Sequence, residues 1–103
     1  MNKYQVMLQG ENFFIEHEGA VVKHGFIATR FVEAANPEEA EIAAVTLIKN
    51  DETLVELVQP DATSEPMIYL EELYELESFE GINTPGHGYS FYIDKKPWWK
   101  FWK

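Results

Sequence analysis

The sequence contains no cysteine, which excludes disulfide staples, thiolate zinc sites and a cysteine nucleophile. No apolar run approaches the roughly 18–20 residues that cross a bilayer as a helix. Behind Met1-Asn2-Lys3-Tyr4-Gln5 there is no apolar signal segment, so secretion is not indicated and a cytoplasmic location is expected. Serine is sparse, and neither Ser64 nor Ser90 stands in a G-x-S-x-G turn. The Gly81–Gly88 stretch holds three glycines but no lysine, and it lacks the G-x-x-x-x-G-K-[ST] pattern of a phosphate-binding loop. It reads as a hairpin connection. No internal repeat or low-complexity segment is present.

Positive charge is scarce over most of the chain. Residues 1–94 hold all 18 acids and only Lys3, Lys23, Arg30 and Lys49, a net of −14, whereas residues 95–103 carry +4. So acidic a body repels a phosphate backbone, which argues against nucleic acid as a partner. With 103 residues, 46% of them hydrophobic and 15% aromatic, the chain has the length and apolar content of a single folded domain. The expected division is one domain over 1–94 and a basic, tryptophan-rich tail over 95–103.

Within the domain the hydrophobic period is two at both ends. Tyr4, Val6 and Leu8 alternate as in a half-buried strand. Gly10-Glu11-Asn12 interrupts the alternation before Phe13-Phe14-Ile15 resumes it. A second strand, about 21–34, is rich in β-branched and aromatic residues, and His17-Glu18-Gly19-Ala20 between the two reads as a hairpin turn. Gly10 and Gly25, nearly equidistant from that turn, mark a bulge or bend in both strands.

The middle of the chain is helical. Asn36 is a good N-cap, Pro37 suits the first helical position, and Glu38 and Glu39 favour the positive end of the helix dipole. Ala40, Ala43, Ala44, Leu47 and Ile48 then form an apolar stripe, giving a helix over about 37–49. Asp51 re-caps a short second helical segment, Glu52 to Val58, and Pro60 with the polar run to Pro66 ends it. Residues 67–79 are assigned to a strand, with Ile68, Leu70, Tyr74 and Leu76 on one face and Glu72 as an exception. A last strand runs from Tyr89 to Asp94, with Tyr89, Phe91 and Ile93 on one side. The resulting order, β-β-α-β-β, predicts an α+β fold: a two-layer sandwich of an antiparallel sheet with one main helix on one face. The step Val32-Glu33-Ala34-Ala35-Asn36-Pro37-Glu38-Glu39-Ala40 resembles the strand-to-helix step of many small bacterial α+β domains, which implies architecture and not activity.

Chemistry-bearing residues are few. His17, beside Glu16 and Glu18, and His24 approach each other across the hairpin, with a neighbouring glutamate as a third ligand in a metal-binding or enzymatic reading. The competing reading makes both of them, and His87, ordinary turn and strand residues. Glu71, Glu72, Glu75 and Glu77 read as a solvated face that keeps a strand from edge aggregation. No catalytic motif and no cofactor is implied. The lead expectation is therefore a non-enzymatic interaction module, a cytoplasmic homodimer. Its contacts would come from an uncovered sheet face bearing Tyr69, Leu73, Phe79 and Tyr92, and from the tail. In the tail, Trp98, Trp99, Phe101 and Trp102 are the expected anchors, while Lys95, Lys96, Lys100 and Lys103 steer toward acidic surface. The alternative is a peripheral membrane protein held by the same lysines and tryptophans at an anionic surface.

Overall fold

The structure, a computed structural model, describes residues 1–58, 66–86 and 88–93. It is a small α+β fold in which a four-stranded antiparallel sheet is joined by two helices. The elements run β1 (Asn2–His17), β2 (Ala20–Ala34), α1 (Pro37–Lys49), α2 (Glu52–Leu57), β3 (Met67–Leu76) and β4 (Ser90–Ile93). The spatial order is β3-β1-β2-β4, so the first hairpin forms the middle of the sheet and the later strands are added to its two edges.

The long hairpin turns at Glu18 and Gly19, both at positive φ (52° and 83°), the backbone that lets a two-residue turn follow the twist of its strands. The interruption at Gly10-Glu11-Asn12 is a register shift between Gly10 and Phe13, with Asn12 at φ 64°. Neither strand is broken by it. Gly10 stands opposite Phe26, and the two glycines serve different faces. A Cβ at Gly10 would lie 2.1 Å from the Phe26 ring, and one at Gly25 would lie 2.4 Å from the Tyr92 ring. Each glycine is a seat for an aromatic side chain.

One face of the sheet is covered. Tyr4, Val6, Leu8 and Phe13 of β1 and Phe26, Ala28, Val32 and Ala34 of β2 are buried, and they form one core with Ala40, Ala44 and Ile48 of α1 and Leu54 of α2. Asn36 caps α1 as the sequence indicates, its Oδ1 accepting from Glu39 N at 2.9 Å. Asp51 caps α2 through Thr53 N at 3.0 Å. The alanines let α1 lie close to the strands, while Leu47, expected on its apolar stripe, is exposed.

Residues 67–76 are a strand, but its faces differ from the simple alternation. The pairing with β1 slips between Met7 and Leu8, where Glu72 faces Met7 and Leu70 faces Leu8, leaving Glu71 as an extra residue. A bulge of this kind changes the phase of a strand by one. Ile68, Leu70 and Leu73 therefore share the covered face, and Tyr69, Glu72, Tyr74 and Leu76 share the other. Glu72 is no exception once the bulge is counted, and Leu73 leaves the list of residues on the open face.

The chain between β3 and β4 docks on the outer edge of β2. Pro85 O accepts from Phe31 N at 2.9 Å, and Gly86, at φ 85°, would bring a Cβ within 3.1 Å of Thr29 O. This loop continues the edge that the four residues of β4 cover only in part.

Candidate functional site

The only buried charge among the described side chains is Arg30, 2% exposed. It lies on the covered face of β2, in phase with Phe26, Ala28 and Val32. Its Nη1 donates to Thr29 O at 2.8 Å and to Gly88 O at 3.0 Å. Its guanidinium carbon sits 4.9 Å from the centre of the Tyr89 ring, a cation–π contact. Tyr89 in turn donates its hydroxyl proton to Asp51 Oδ2 at 2.6 Å, and the other Asp51 oxygen caps α2. Three residues far apart in sequence thus tie the sheet, the β3–β4 loop and the junction of the two helices together.

The electrostatics of this chain are mutually supporting. Hydrogen bonding from Tyr89 holds the Asp51 carboxyl below the usual carboxylate range, with Arg30 nearby acting in the same direction. Burial, and then the Asp51 carboxylate, push the Tyr89 hydroxyl up to about 12. Such a phenol keeps its proton throughout the neutral range, and that proton is already committed to Asp51. The arrangement fits a staple better than a proton-transfer site, because general acids and bases work best with pKa values near the working pH.

A pH dependence follows. A tyrosine whose pKa is raised on folding contributes stability below its unfolded value, near 10, and loses that contribution as pH climbs toward the folded value. The stability gap between the natural chain and Tyr89→Phe should therefore narrow between about pH 10 and 12. Urea titrations of both proteins at pH 8, 10 and 11.5 will check it. A gap that stays constant would mean that folding does not raise the Tyr89 hydroxyl.

The histidines are brought only part of the way together. The rings of His17 and His24 lie 6.1 Å apart, edge to face. His17 Nε2 is 3.9 Å from Glu18 Oε2, whereas buried His24 is hydrogen-bonded through Nδ1 to Val22 O at 2.7 Å. Among the described residues no group of three His, Asp or Glu side chains converges as a metal would require. His87 lies outside the described residues. Ser78, passed over in the sequence, accepts from Glu80 N at 3.3 Å in the turn after β3.

The open face of the sheet carries the more extensive surface. Paired residues share a face, so the register places Tyr74, Gln5 and Phe31 in one row and Tyr69, Gln9 and Ile27 in another. Tyr92 covers Gly25 and accepts a hydrogen bond from Gln9 Nε2 at 3.0 Å. Phe79 meets Phe31 edge to face at 6.2 Å. Tyr69, Tyr74 and Tyr92 are all exposed. Charge here is modest and partly neutralised: Lys3 lies 3.8 Å from Glu33, and Glu72 accepts the Tyr74 hydroxyl at 2.8 Å, which raises the Tyr74 pKa.

A separate apolar groove opens on the covered side, where α1 and α2 meet the ends of β1 and β3. It holds about 590 Å³ between Phe13, Val45, Ile48, Leu54, Val55 and Ile68, among others, and Lys49 is the one charged residue among the described residues of its wall. The eight tail residues expected to make contacts, Lys95, Lys96, Trp98, Trp99, Lys100, Phe101, Trp102 and Lys103, lie outside the described residues. No helix among the described residues is long and apolar enough to cross a membrane.

No family model, no characterised protein and no solved structure matches the chain.

Proposed function

We propose that the protein is a non-enzymatic interaction module that pairs with a second copy of itself through the open face of its sheet. The observation that carries this reading is the row-by-row clustering of Tyr69, Tyr74, Tyr92, Phe31 and Phe79 on a face that no helix among the described residues covers. In this reading the fold is a two-layer sandwich whose second face is completed by the partner. Tyrosine suits that task because it supplies a large apolar ring with a polar tip and loses little conformational entropy. Approach elsewhere is opposed by the −14 of residues 1–94. Edge-to-edge pairing through β3 is opposed by its bulge and by Glu71, Glu75 and Glu77.

Sedimentation velocity over a wide dilution series tests the proposal. The chain should dimerise, and Tyr74→Lys or Tyr69→Lys should weaken the dimer at least about tenfold, or 1.4 kcal/mol. Because two acidic bodies repel, moderate salt should strengthen the association. A monomer at every concentration, or a dimer indifferent to both substitutions, would sink the reading.

A further inference from the structure

We propose that the apolar groove between α1, α2 and β1 is the seat of the chain's own C-terminal tail, which inserts its tryptophans there. Position is the first argument. His24 is paired on one side with Ile93, the end of β4, and on the other with Phe13, whose ring lines the groove. Side chains paired across strands lie on one face, so Ile93, the last described residue before the tail, presents its side chain on the groove's side of the sheet. Two strand spacings, about 10 Å, separate Ile93 from Phe13.

Reach and chemistry agree with position. Trp98 is five residues beyond Ile93, and five extended residues span up to about 17 Å, enough to cross β2 and enter the groove. The ten residues 94–103 hold all three tryptophans and Phe101. Indole rings left in water are costly, whereas a concavity of about 590 Å³ whose described walls are nearly all apolar is of the size that encloses drug-sized ligands. The tail's lysines, +4 over residues 95–103, meet a body of −14. Lys49, the one cation among the described residues of the wall, is compatible with an indole face as neighbour.

Because every tryptophan is in the tail, intrinsic fluorescence of the full-length chain reads its surroundings without a label. The wild type should emit to the blue of a free tryptophan amide, resist acrylamide, and keep both properties on dilution. Val55→Lys changes a groove residue that is 62% exposed, and Met67→Lys changes one on the opposite wall that is 40% exposed. Both should leave the far-ultraviolet circular dichroism intact while shifting emission to the red and raising quenching several-fold. Ile42→Lys, at a position 66% exposed and not among the groove's lining residues, should change nothing. Red, quenchable emission from the wild type would overturn the proposal, as would protection that both groove variants preserve. Protection lost on dilution would also overturn it, since the occupant would then be a second copy's tail. Red emission that turns blue only with phosphatidylglycerol vesicles would place the tail on a membrane instead. The sheet-face dimer is read by sedimentation, so either proposal can fail alone.

Discussion

Gly10→Val should cost about 3–5 kcal/mol, a large share of a stability of the order of 5–15 kcal/mol. The reason is steric. The Phe26 ring lies where the new Cβ would stand, at 2.1 Å, and that ring has nowhere to go. Phe26 is fully buried and forms the hub of an aromatic cluster, with Phe13 at 4.9 Å, Tyr89 at 5.2 Å and Phe91 at 5.8 Å between ring centres. Moving it forfeits the packing of all three partners, which compares with truncating a core phenylalanine. Gly25→Ala is the control. Its Cβ would meet Tyr92 at 2.4 Å, but Tyr92 is 40% exposed and can swing outward. That variant should lose markedly less. Urea unfolding with an unchanged slope will measure both, and equal losses would refute the distinction between a locked and a mobile ring.

The second large effect is expected at Arg30. Arg30→Ala leaves Thr29 O and Gly88 O without their donor and the Tyr89 ring without its cation. Hydrogen bonds to charged groups are worth about 1.5–3 kcal/mol each, so a loss of about 3–5 kcal/mol is expected. Arg30→Lys should recover only part of it, because an ammonium lacks the planar fork that stacks on the ring while bonding carbonyls at its edge. Hydrogen exchange gives a local readout. The Phe31 amide, bonded to Pro85 O in the loop that Arg30 holds, should lose protection in the variant by more than the global destabilisation accounts for. If Phe31 exchanges in step with the β1 core, Arg30 is no pin for that loop.

Much of this architecture is legible in the sequence because it rests on local rules. The two-fold alternation of Tyr4, Val6 and Leu8, the cap at Asn36 and the re-cap at Asp51 each concern a few adjacent residues, and all three stand in the structure. In the sequence the glycines at 10 and 25 mark a bulge or bend, and a register shift does begin at Gly10. The close approach of an aromatic ring to each is not legible there. Their occupants, Phe26 and Tyr92, become visible only when the strands are in register. In β3 the phase reading fails beyond Glu71, since a bulge has no signature in a run of leucines, tyrosines and glutamates. The Arg30–Tyr89–Asp51 chain was hidden for another reason. Its members are brought together by tertiary packing alone, although one clue was present: Arg30, the sole arginine, falls in phase with the apolar residues of its strand. A charge at such a position has to be partnered.

The short length of β4 has a mechanical side. The central hairpin closes on itself, β3 is secured to it through nine paired residues, and β4 through four. The chain's most adhesive sequence is therefore tethered to the strand that peels most easily. A pull on the tail is borne first by the bonds to His24 through Ile27, and next by Tyr89 and its grip on Asp51 at the helix junction. Tension applied at one end of the sheet would in that way be felt at the junction of the two helices.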